Sequence, residues 1–128
     1  MDDNELLAAF ESAALPGDAF THVEHVRVAW HYLRTLSLGE AIDRCRGGIR
    51  RFAATKGAAD KYHETVTVAF MLLINERLDH ARSLPWPEFA SANADLFARP
   101  SVLSRYYSEE LLRSDRARRT FVWPDSEH

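Results

Sequence analysis

The sequence predicts an all-α protein, an up-and-down helical bundle of four main helices followed by shorter C-terminal helices. Three observations carry this prediction. Apolar residues recur at three- and four-residue intervals, no stretch alternates apolar and polar residues long enough for a sheet, and Pro, Gly and Ser/Thr-x-x-Glu signals recur at helix-sized intervals. With 128 residues, 46% hydrophobic and 27% charged, the composition suits one helical domain over 1–128. It excludes a disordered chain, a collagen-like repeat and a disulfide scaffold.

The first segment, 4–15, carries Leu6, Leu7, Phe10, Ala13 and Ala14 at helical spacing and stops at Leu15-Pro16-Gly17-Asp18. Thr21 and Glu24 form a capping box that opens a second helix, running to about Leu36. Ser37 and Glu40 repeat the pattern for a third, with the stripe Leu38, Ile42, Cys45, Ile49, Phe52, Ala53 and an end near Gly57. Within it, Gly47-Gly48 is expected to be a weak point. Asp60 is the expected N-cap of a fourth and longest helix reaching about Arg82, apolar enough to be central. Pro85-Trp86-Pro87 starts a fifth segment, roughly 88–97, and Pro100 separates it from one or two short helices within 101–119. Residues 120–128 are expected to form a surface tail.

Sixteen basic against nineteen acidic residues give a formal charge of −3, which argues against a nucleic-acid partner or a polybasic membrane anchor. The longest apolar stretch, Val66 to Ile74, is too short to cross a bilayer. Cys45 is the sole cysteine and the first residues are acidic, so the expected location is the reducing cytoplasm. A small molecule is the expected partner, with self-association left open.

Six histidines are the informative residues. On a wheel at about 100° per residue, His22 falls in the middle of a stripe made by Val26, Ala29, Leu33 and Leu36, with His25 on its flank. His31 comes out about 180° away beside Glu24, Arg27 and Arg34, where it is expected to be solvated. His63 shares a face with Val66, Phe70 and Ile74 of the fourth helix. If successive helices alternate in direction, the second and fourth are parallel and His22, His25 and His63 all occupy a first turn at one end of the bundle. One unsatisfied buried polar group costs about 1–3 kcal/mol, so three inward imidazoles need a shared partner. The usual one is a divalent transition metal such as iron or zinc, and three ligands leave a coordination position open for catalysis.

That reading is a small metal-dependent enzyme, a non-haem iron oxidoreductase or a hydrolase or lyase, acting on a small polar molecule. Around the open position, Glu64 and Tyr106 are the catalytic candidates and Arg105 and Tyr107 the substrate-binding ones. Two alternatives stand beside it. In one, helix N-termini with Arg105 or Lys61 hold an anion while a histidine moves protons. In the other, the chain is a non-catalytic ligand-binding or protein-interaction module whose core histidines are hydrogen-bonded, with an apolar groove near Pro85-Trp86-Pro87 for the partner. Tyr106 and Tyr107 then serve as core aromatics.

Three blocks, Phe20-Thr21-His22-Val23-Glu24-His25-Val26-Arg27-Val28-Ala29-Trp30, Lys61-Tyr62-His63-Glu64-Thr65 and Arg105-Tyr106-Tyr107-Ser108, carry a resemblance. They look like those of a family of small bacterial proteins of unknown function. The likeness implies that the three blocks belong together and brings no activity, cofactor or fold with it.

Overall fold

Capping signals and apolar spacing lead to helices throughout the computed structural model, which describes residues 2–15 and 20–126. Among the described residues there are seven α-helices, three short 3-10 turns and no strand. The all-α prediction holds. The helices are α1 (Asp3–Glu11), α2 (His22–Thr35), α3 (Leu38–Thr55), α4 (Glu64–Leu78), α5 (Trp86–Ala92), α6 (Glu109–Arg113) and α7 (Asp115–Arg119). The 3-10 turns are Ala59–Lys61, Ala94–Phe97 and Val102–Arg105. No helix is long and apolar enough to cross a membrane, among the described residues. The chain forms two compact units, Met1–Tyr62 and His63–His128.

In the first unit, α1 starts at an N-cap, Asp2, that exchanges capping-box bonds with Glu5. It ends earlier than the spacing predicts. Ala13 takes a positive φ of 57°, and the amides of Ala13 and Ala14 bond the carbonyls of Phe10 and Ala9 at 3.0 and 2.9 Å. This is a Schellman ending with alanine where glycine is favoured, so the helix stops before Pro16-Gly17-Asp18, the predicted stop, which lies outside the described residues. The second and third helices begin at the predicted caps. Glu24 accepts from the Thr21 amide at 2.9 Å, and Ser37 accepts from the Glu40 amide at 3.3 Å.

Helices α1, α2 and α3 pack on one another around aromatic rings. Phe10, fully buried, lies 5.0 Å from Phe20 and 6.4 Å from Tyr32 between ring centroids, and Phe20 lies 4.8 Å from Phe52. Gly48, expected to weaken α3, is instead what lets α1 approach it. A Cβ there would stand 2.3 Å from Phe10 Cε2, while at Gly47 it would meet nothing within 4 Å. Two arginines tie the ends together: Arg27 Nε donates to Asp3 at 2.7 Å and Arg51 to the Glu11 carbonyl at 2.7 Å.

The second unit departs further from expectation. Asp60 caps nothing long; it sits in the 3-10 turn, Tyr62 is extended, and α4 starts at Glu64 with His63 as its N-cap. Helix α4 packs against α7 and the turn Val102–Arg105, enclosing a core of Ala69, Leu103, Tyr107, Ala117 and Val122. Its second half is held by Arg77, which grips both oxygens of Asp95 at 2.9 and 2.8 Å and Asn93 Oδ1 at 3.0 Å. The predicted fifth segment breaks at Asn93 into α5 and a 3-10 turn.

Residues 120–126 are mostly exposed at the surface and are tied down along it. Thr65, fully buried, donates its hydroxyl to the Thr120 carbonyl at 2.8 Å and accepts from the Val122 amide at 3.2 Å. Further along, Asp125 accepts from the Ser108 amide and hydroxyl at 2.7 and 2.6 Å, and the Ser126 amide donates to the Tyr106 carbonyl at 2.9 Å. Each extended backbone group so paired escapes the cost of burial without a partner, which is why an extended strip can close this core. Glu127 and His128 lie outside the described residues.

Candidate functional site

The expected metal ligands are the first side chains to place. His22, on the first turn of α2, is exposed, and His25 is half-buried. His25 stacks on Phe20, centroids 4.1 Å apart and rings at 28°. Phe20 precedes the Thr21 cap and His25 is four residues beyond it, so the two rings occupy the positions of a hydrophobic staple, with imidazole where an aliphatic side chain is usual. Burial, with neighbouring His22 adding to it and Glu24 opposing, pushes the His25 pKa down to about 4. The ring is neutral at neutral pH and serves the entry of α2.

His63 belongs to the second unit and does not lie within a helix, so its wheel position does not apply. Its Nδ1 accepts from the Val66 amide at 3.1 Å, a side-chain cap of α4. With Nδ1 accepting, the proton of the neutral ring sits on Nε2, which donates to the Leu112 carbonyl of α6 at 2.6 Å. Both nitrogens are thus engaged by backbone. Among the described residues no group of three or more His, Cys, Asp and Glu side chains is placed to hold a metal ion, and the expected ion is not supported.

His31 also differs from expectation. It is half-buried, with Nδ1 closed off and no hydrogen-bond partner among the described residues. The reason is that α2 is buried around most of its circumference: Val28, Trp30 and Tyr32 lie off the predicted stripe and are buried as well.

The other predicted residues separate into two groups. Glu64 is the first residue of α4, half-buried. Arg105 pairs with Asp95 at 3.3 Å, beside Arg77. The Arg77 guanidinium, bonded to Asp95, holds that carboxyl below its ordinary range, with Arg105 adding to the effect. Tyr107 is 3% exposed and donates its hydroxyl to the Val122 carbonyl at 2.8 Å, so burial, with Asp125 nearby, raises its pKa. Tyr106 is half-buried and lines a cleft.

That cleft, about 180 Å³, lies wholly in the second unit. Ala69, Leu72, Leu73 and Glu76 line it from α4, a set at i, i+3, i+4, i+7 that shares one helix face. Leu103, Tyr106 and Tyr107 come from the turn Val102–Arg105 and the residues after it, and Phe121, Trp123 and Pro124 from the extended C-terminal strip. Phe121 and Trp123 stand edge to face, centroids 5.9 Å apart at 75°. Two of its large apolar residues face solvent: Trp123 is 82% exposed and Leu72 40%.

Of the expected site residues, then, the cleft brings together Tyr106 and Tyr107, and sequence reasoning missed Glu76, Phe121 and Trp123. The i, i+3, i+4, i+7 set on α4 was visible, but no local signal tells a helix face under a cleft from one under a core. Near Pro85-Trp86-Pro87, where a groove is expected, neighbouring aromatic rings pack on one another. Trp86 is half-buried, stacked with Phe89 at 6.3 Å and edge-on to Phe97 at 6.1 Å.

Comparison of the chain with known protein families, with curated proteins and with solved structures finds no match.

Proposed function

We propose that this protein is a non-catalytic helical binding module whose second unit receives a small apolar group in the cleft between α4 and the C-terminal strip. One observation carries the reading: an open cleft of about 180 Å³ lined by aliphatic and aromatic side chains, with Leu72 and Trp123 left facing solvent. An apolar cavity of about 150 Å³ suffices for a benzene-sized guest, whereas drug-sized ligands occupy about 300–1,000 Å³. The guest is therefore ring-sized or a compact branched alkyl group. Large apolar side chains kept at the surface around a concavity are what a binding site costs a soluble domain.

The groups first expected to do chemistry support the same reading through their own bonds. His63 caps a helix, His25 staples one, Tyr107 bonds backbone and Arg105 pairs with Asp95. The module is tested by titrating the full chain with benzyl alcohol and with 3,3-dimethylbutan-1-ol while following the NMR signals of Tyr106, Phe121 and Trp123. Saturable shifts confined to cleft residues are expected, weakened at least tenfold in Leu72→Glu, which puts a charge on an exposed helix position without disturbing buried packing. Shifts that never saturate, or that scatter over the surface, would reject the module.

A further inference from the structure

The lining of the cleft points to a narrower ligand class, and this step rests on the binding module proposed above. Four of its side chains are aromatic, Tyr106, Tyr107, Phe121 and Trp123, and the one charged lining residue is Glu76. A ring face carries partial negative charge and attracts a cation within about 6 Å of its centroid. Two of these rings, Phe121 and Trp123, meet nearly at right angles and are not stacked flat. The carboxylate adds a full negative charge on the same α4 face that supplies Ala69, Leu72 and Leu73.

We infer that the cleft holds a small organic cation of the alkylammonium class, a trimethylammonium head group on a free small molecule being the best fit. Three features of the cleft select it. The volume of about 180 Å³ admits a single compact group. The charge pattern, four aromatic rings plus one carboxylate, is complementary to a cation. The apolar lining from α4 and Leu103 favours a cation that needs no hydrogen-bond acceptors, and the Tyr107 hydroxyl is already committed to the Val122 carbonyl. A primary ammonium could pair with Glu76 but would turn its remaining N–H donors to the apolar part of the lining, at a cost that methyl groups avoid.

The test compares choline with 3,3-dimethylbutan-1-ol, the neutral compound of the same shape, by calorimetric titration of the full chain at constant ionic strength. Choline is expected to bind saturably and at least tenfold more tightly than the alcohol. Trp123→Ala is expected to weaken choline at least tenfold and Glu76→Gln about threefold or more, with little change for the alcohol in Glu76→Gln. Both positions are exposed, and circular dichroism checks that both variants fold as the wild type does. Equal or tighter binding of the alcohol would overturn the cation assignment while leaving the module standing. Binding of neither compound would remove both.

Discussion

His25 shows how a residue type that invites a functional reading can be bound up in folding. Stacked on Phe20 at the start of α2, it is held neutral because burial takes water from the charged form, with neighbouring His22 adding to the effect. Its folded pKa, about 4, lies below the ordinary value of 6.5, so between those values the unfolded chain binds more protons than the native one. The stability it contributes is therefore complete above pH 6.5 and is lost as pH falls towards 4, up to about 3 kcal/mol. Urea unfolding of wild type and His25→Leu across pH 7.5 to 4 should show the slope of the wild type exceeding that of the variant in this window. Parallel profiles would mean that the ring is not buried against Phe20. The two adjacent glycines of α3 make a second residue-scale pair. Gly47→Ala, in open space, should stabilise by about 0.5–1 kcal/mol through helix propensity. Gly48→Ala should destabilise by about 1–3 kcal/mol because its methyl meets the buried Phe10 ring. Thermal unfolding of both variants decides, and shifts of the same sign in both would disprove the close approach of α1 to α3.

Among the elements, the C-terminal strip gains the most from partners distant in sequence. It forms no helix or sheet; its backbone bonds Thr65 on α4 and the Tyr106 carbonyl, and its Asp125 side chain accepts from Ser108 at the start of α6. The Ser108 bonds hold the Asp125 carboxyl below its usual range. Since Phe121 and Trp123 are on this strip, the cleft exists only while the strip is docked. Thr65→Val keeps the shape and removes the hydroxyl that both donates and accepts, leaving two backbone groups without it. The expected loss is about 2–4 kcal/mol, with weakened ligand binding, and Thr65→Ser should recover most of both. Hydrogen exchange at the Val122 amide reads the same event locally: unchanged protection in Thr65→Val would show that the strip is held by something else.

For the molecule as a whole, the distinction between an ion site and a binding module comes down to where the imidazole nitrogens are spent. Protein purified without an affinity tag, then incubated with iron(II) or zinc(II) and desalted, is expected to retain less than about one-tenth of an equivalent of metal, because both His63 nitrogens are already bonded to backbone and ligation would cost the ring at least the bond of its coordinating nitrogen. One equivalent retained by the wild type and lost in both His22→Ala and His63→Ala would restore the shared-ion reading. Much of the fold was legible before any coordinates. The all-α class and the caps at Thr21 and Ser37 follow from signals spanning three or four residues, and the short helices within 101–119 from their apolar spacing; sequence reasoning missed the serines that cap those short helices. The helix wheel also located His25 on a buried flank.

What the sequence determined by itself is local: which segments wind into helices, where most of them begin and that a core of aromatic and aliphatic side chains is available. These follow from backbone propensity and capping bonds between near neighbours, which need no knowledge of the rest of the chain. Only the tertiary structure decided what each polar side chain is for. Whether His63 ligates or caps, whether Gly48 weakens or admits, whether residues 120–126 trail or close a core, depends on groups 38 to 57 positions away, as in the contacts of Gly48 with Phe10 and of Thr65 with Val122. A spacing rule is blind at that range, because chain separation says nothing about which surfaces meet once burial has chosen among them.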